Sequence, residues 1–173
     1  MSTIITALLI VIGAICIPLI FVLINNRKTR NLNKKYLNLF SKEGSKHGLS
    51  FSSQQLLRNK MIGLDDTKET ILVFDFENAG NIIRIPLATV KNCTVEKEYD
   101  SILIGREKKA KIEPHLKSID LEFAFKNSDE PVSVSFYNSD INSIYEMSEL
   151  KAKAETWEAV VSKMIFKDME VRA

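Results

Sequence analysis

Few side chains in this sequence are of types that perform chemistry, and their spacing limits what they can do. The chain has 2 histidines, His47 and His115. Neither has a cysteine or a second histidine at metal-ligand spacing, so no zinc-type site is expected. The 2 cysteines are Cys16, in an apolar run, and Cys93, in a strand-like stretch. They form no disulfide framework, and Cys93 reads as a small buried hydrophobe rather than a reactive thiol. Asp65-Asp66 would suit a calcium loop or an acid–base pair only with a further acidic ligand at loop spacing. None follows, and the pair reads as a turn. No nucleophile elbow, phosphate loop or dinucleotide glycine pattern occurs. No catalytic, cofactor-binding or metal-binding residue is assigned, and no cofactor is expected.

Charge is the stronger signal. Arg27, Lys28, Arg30, Lys34 and Lys35 form one basic group, and Arg106, Lys108, Lys109 and Lys111 a second. The formal net charge is only +2, so this positive charge is local and the remainder is mildly acidic. Nucleic acid is therefore excluded as the partner, because phosphate neutralisation needs a basic face on the domain itself. The first group is expected beside a membrane, where each such charge near an anionic surface contributes about 1 kcal/mol. The second is a basic loop available for lipid or partner contact, or simply solvated.

These side chains need elements to hold them. From Ile4 to Ile24 no charged residue occurs. A helix over that run reaches roughly 30 Å, the thickness of a bilayer's hydrocarbon core. Pro18 is expected to bend it. A cleavable export signal is disfavoured: Met1-Ser2-Thr3 lacks a basic side chain, and the run ends in Phe21-Val22-Leu23-Ile24 rather than in small residues. Basic residues follow the run and none precedes it, so the N-terminus is expected outside and the rest cytoplasmic. The expectation is a single-pass protein of the cell (inner or plasma) membrane, with the lipid bilayer as one partner.

The remaining boundaries follow composition. Residues 1–25 form the expected anchor. Residues 26–50 are a basic juxtamembrane helix, with Leu32, Tyr36, Leu37, Leu39 and Phe40 as its apolar side chains, ending in the Gly/Ser-rich joint SKEGSKHGLS. Residues 51–168 form the domain and 169–173 a tail. Within the domain, Gln54–Asn59 is expected as one helical turn. KMIGL, TILVFDF, NIIRIPL and Val90–Tyr99 read as strands, and SILIG as a short strand. In SIDLEFAFK, Ile119, Leu121, Phe123 and Phe125 share one face. Val132, Val134 and Phe136 repeat the pattern. One-sided burial of this kind belongs to an antiparallel sheet or barrel. From about Glu146 to Phe166 the period changes: Leu150, Ala154, Trp157, Val161 and Met164 mark one helical face.

The order of strands followed by one C-terminal helix bearing Trp157 resembles the pleckstrin-homology-like fold. The stretch Ile62-Gly63-Leu64-Asp65 is also similar to one found in uncharacterised bacterial membrane-anchored proteins. The resemblance implies an α+β, mainly β, domain: a bent antiparallel sheet or barrel capped by the last helix. It also implies a binding module rather than an enzyme. The turn Asp65–Glu69 is net acidic, which departs from the basic turn of inositol-phosphate binders. The sequence therefore points to a non-enzymatic adaptor with a protein partner in a membrane complex. A lipid- or small-ligand-binding barrel is the alternative, and an enzyme with an unrecognised site is the third reading.

Overall fold

The structure is a computed structural model that describes residues 30–77, 81–104 and 111–172. The chain divides into two compact units, Met1–Lys46 and His47–Ala173. In the first, residues 30–46 form helix α1. Its last turns are tied locally, with Ser45 Oγ donating to the Ser41 carbonyl at 2.8 Å and Lys46 paired with Glu43 at 2.6 Å. Gly48 follows at φ 66°, the left-handed conformation in which glycine ends helices without a Cβ clash.

The second unit begins with four antiparallel strands: β1 Ser53–Leu56, β2 Lys60–Asp65, β3 Thr70–Asp75 and β4 Ile82–Pro86, adjacent in chain order. All six residues of β3 are buried. Its apolar and β-branched composition suits an inner strand covered on both faces. The β2–β3 register sets Ile62 opposite Val73 and Leu64 opposite Ile71, and these four side chains enter the main core. The helical turn expected at Gln54–Asn59 is corrected. Residues 53–56 pair with β2, and Leu57 N–H closes the hairpin on the Lys60 carbonyl at 2.8 Å. A helix that short has an unfavourable nucleus, and the neighbouring ladder captures its backbone groups.

A second antiparallel sheet contains β5 Val90–Ile104, β6 Lys111–Phe125 and β7 Val132–Asn138, in that order. Ile119, Leu121 and Phe123 of β6 are fully buried. Here β5 continues past Tyr99 to Ile104, with a register shift between Glu98 and Tyr99, and β6 begins at Lys111, before the expected start at Ser118. Residues 111–117 include Pro114 and the charged Lys111, Glu113 and Lys117, types depleted in strands, so it is pairing with β5 that makes them a strand. Next, Ser143 and Glu146 form a reciprocal cap on a 3-10 turn, Ile144–Glu146, and helix α2 follows, Met147–Arg172. Leu150, Ala154, Trp157, Val161 and Ile165 are buried along one face of α2. They join the core formed by both sheets.

The fold expected from sequence is corrected on two counts. The strands make two sheets, not one bent sheet or closed barrel. Pro86 lacks a backbone donor, and the 3-10 turn Leu87–Thr89 separates β4 from β5, so the ladder stops there. The single-pass membrane reading is the second correction. Among the described residues no helix is long and apolar enough to cross a membrane; the apolar run 4–24 lies outside the described residues.

Candidate functional site

The sheet edges show where this domain can accept something. Among the described residues β5 is an edge strand whose one strand neighbour is β6, and α2 packs against it. The Val95 N–H donates to Glu158 Oε1 at 3.2 Å, and Ser162 Oγ donates to the Cys93 carbonyl at 3.4 Å. Four helical residues rise about 6 Å, close to the advance of two strand residues. Two helix side chains therefore stand in for a missing neighbouring strand. Among the described residues no side chain of α2 bonds the backbone of β5 beyond Val95, and the cap ends there.

Beyond that point a groove of about 470 Å³ opens. Its walls are Lys97 and Tyr99 of β5, Pro114, His115 and Leu116 of β6, and Ile144, Met147, Ser148 and Lys151 from the start of α2. Tyr99 is 60% exposed and Ile144 59%, and the neighbouring Tyr145 is 93% exposed. Apolar side chains grouped around a cleft mark an interaction surface more often than scattered ones do. Strand alternation sets Lys97 and Tyr99 on the same side, and Glu96, Glu98 and Asp100 on the other. Glu98 is paired with Lys117 at 2.9 Å. That hydrogen bond and charge raise the Lys117 amine above its ordinary range. The groove wall itself carries Lys97, Lys151 and His115 and no carboxylate.

A second groove, about 520 Å³, lies between Ser52, Ser53, Asp66 and Glu69 and the later turns of α2, at Val160, Lys163 and Lys167. Its two lysines face two carboxylates, so it has no net preference for either sign. The first groove combines one sign of charge with exposed apolar side chains and an uncapped strand edge, and it is the better candidate.

Asp65 is buried at 1% exposure. Its Oδ2 accepts Ser50 N–H at 2.7 Å and its Oδ1 accepts Lys68 N–H at 2.9 Å. The Ser50 N–H holds the carboxyl below its ordinary range; burial opposes this, and the Lys68 and Thr67 backbone donors and the Lys68 charge assist. The Lys68 ammonium donates to the Gly48 carbonyl. Asp65 thus clasps residues 48–50 to the β2–β3 turn, which is a structural task. Cys93 is buried, and burial, with the Glu158 carboxylate adding to it, pushes the thiol up to about 12.

Of the basic residues singled out from sequence, Arg30, Lys34 and Lys35 are exposed along α1, and Lys111 opens β6. Arg27, Lys28, Arg106, Lys108 and Lys109 lie outside the described residues. His115 is in β6 and lines the groove. Tyr99, Ile144, Met147 and Lys151 were not anticipated as site residues. The exposed apolar residues at the end of a charged strand and just before a helix were the available signal. Among the described residues no group of three or more His, Cys, Asp or Glu could hold a metal ion. Comparison of the chain with protein-family models, curated proteins and solved structures gives no match.

Proposed function

We propose that the domain is a non-enzymatic binding module that receives a protein partner in the groove between β5 and the start of α2. The observation that carries this reading is the end of the edge cap. Glu158 and Ser162 satisfy β5 at Val95 and Cys93, and the strand then runs on beside Tyr99 and Ile144 without such cover. An edge strand beside a helix is a common peptide-receiving arrangement, with main-chain bonds supplying affinity and side-chain pockets supplying selectivity. Ile62, Val73, Ile119 and Phe123 fill the core, which favours a surface site over an internal ligand.

The test is site-specific crosslinking in the full chain. A photoreactive residue replacing Tyr99 should trap one discrete protein in cells, and Ile144→Ala should abolish that product. The same residue at Glu130, which is exposed in the turn before β7, is the control. Identical products from both positions, or an Ile144→Ala chain that still crosslinks from Tyr99, would refute the groove as the binding surface.

A further inference from the structure

We infer that the groove over the sheet face takes a short loop of the protein partner, which places a side-chain carboxylate between Lys97 and Lys151 and apolar side chains on either side of it. This inference rests on the binding-module reading and specifies the partner's chemistry. The charge, the shape and the surroundings of the groove carry it.

Charge comes first. Strand alternation sorts β5 into an acidic face, with Glu96, Glu98 and Asp100, and a face bearing Lys97 and Tyr99. Lys97 lines the groove from the sheet and Lys151 lines it from α2, and no carboxylate lines it. Two like charges facing one cleft repel each other, and a carboxylate between them replaces that repulsion by two attractions. Lys97 has no ion-pair partner among the described residues. The Lys151 ammonium sits 3.7 Å from Glu155 Oε1, and both side chains are close to half exposed. Such a surface pair is weak, so a partner carboxylate can recruit Lys151 at little cost.

Shape and surroundings select the occupant. The β5–β6 register sets Tyr99 opposite Leu116, so both side chains stand on the Lys97 face. Leu116 and Met147 are half-buried and pack against the core, while Tyr99 and Ile144 remain exposed. Apolar side chains beside the carboxylate would cover these two. The volume of about 470 Å³ is that of a small-ligand cleft, about 300–1,000 Å³. A helix, about 10–12 Å across with its side chains, is too wide to enter it. Glu149 and Glu155 flank Ser148 and Lys151 on α2, and both are well exposed. A flat anionic surface such as a lipid bilayer would meet these carboxylates together with the lysines. A narrow loop reaches Lys97 and Lys151 between them.

The experiment extends the Tyr99 crosslink in the full chain. The photoreactive chain is compared in cells with the same chain carrying Lys97→Gln and Lys151→Gln. Both lysines are exposed, and an unchanged urea midpoint verifies that the fold is kept. The yield of the trapped protein should fall about threefold to tenfold, and further with Lys97→Glu and Lys151→Glu. The purified trapped complex is then treated with a water-soluble carbodiimide, which joins a lysine amine to a carboxylate in direct contact with it. Mass spectrometry should find Lys97 or Lys151 bonded to an Asp or Glu of the partner that has apolar neighbours in sequence. The Lys151–Glu155 product within the chain is the positive control for the reagent. An unchanged yield from the Gln and Glu chains would overturn the inference while the binding-module reading stands. A trapped complex in which neither lysine bonds a partner carboxylate would do the same. A photoproduct on phospholipid in place of protein would overturn both and identify a membrane contact. If Tyr99 traps nothing specific, both fail.

Discussion

Replacing Asp65 by alanine is expected to destabilise the second unit by an amount set by two hydrogen bonds. The carboxylate accepts Ser50 N–H at 2.7 Å and Lys68 N–H at 2.9 Å from a buried position. A hydrogen bond to a charged group is worth about 1.5–3 kcal/mol, so full loss of both would cost about 3–6 kcal/mol. Ser50 and Lys68 are themselves exposed, and water can replace part of what they lose. The expected cost is therefore about 2–3 kcal/mol at neutral pH. Asp65→Asn retains one acceptor oxygen and should lose about half as much. Urea denaturation followed by Trp157 fluorescence measures both, with the midpoint shift converted by a slope of about 1–3 kcal/mol/M. The pH dependence supplies an internal check. The folded-state pKa of Asp65 is lowered, so its contribution is complete above the unfolded value of about 3.9. It is lost as pH falls through the folded value. The stability gap between wild type and Asp65→Ala should stay constant from neutral pH down to about 5 and close at lower pH. A variant with the wild-type midpoint at neutral pH would refute the clasp. So would a gap that persists unchanged at the acid end.

Three further outcomes follow from the core and the capped edge. Glu158→Ala removes the acceptor for the Val95 N–H and should cost about 1–2 kcal/mol in urea denaturation. Sedimentation velocity should also show increased self-association, since an unpaired edge recruits strands. Trp157→Ala removes a side chain only 7% exposed in the main core and should cost about 3–5 kcal/mol, measured by the loss of thermal or urea stability. Cys93, with its thiol raised to about 12, should resist alkylation by iodoacetamide at pH 8 in the native chain and react promptly in urea; rapid native labelling would contradict its burial.

Local pattern alone located the cores of several elements. The alternation of Ile119, Leu121 and Phe123 marks a buried strand face, and these residues are fully buried. The steps among Leu150, Ala154, Trp157 and Val161 mark a helix face, and that face is buried. Both patterns are legible because a strand and a helix each repeat at a fixed period, which neighbouring residues disclose without reference to distant ones. The segments that were misread lack such a period. Ser53–Leu56 is a strand only because β2 lies beside it, and residues 111–117 are one only because β5 pairs with them.

The candidate site was less legible still, for the same reason. Lys97 and Lys151 are far apart in the chain, and nothing in either neighbourhood signals the other. Nothing in the residues around Glu158 signals the bond it accepts from the Val95 N–H. Asp65 was read as a turn residue, but it is the last residue of β2, paired with Thr70, and the Ser50 segment folds back onto its buried carboxylate. The sequence by itself determined the periods, the turn residues and the distribution of charge, because these are properties of short stretches. Only the tertiary structure decided that the strands divide into two sheets, where the β5 cap ends and which lysines share a groove. Those features depend on long-range pairing and packing between segments whose separation in sequence carries no information about their contact.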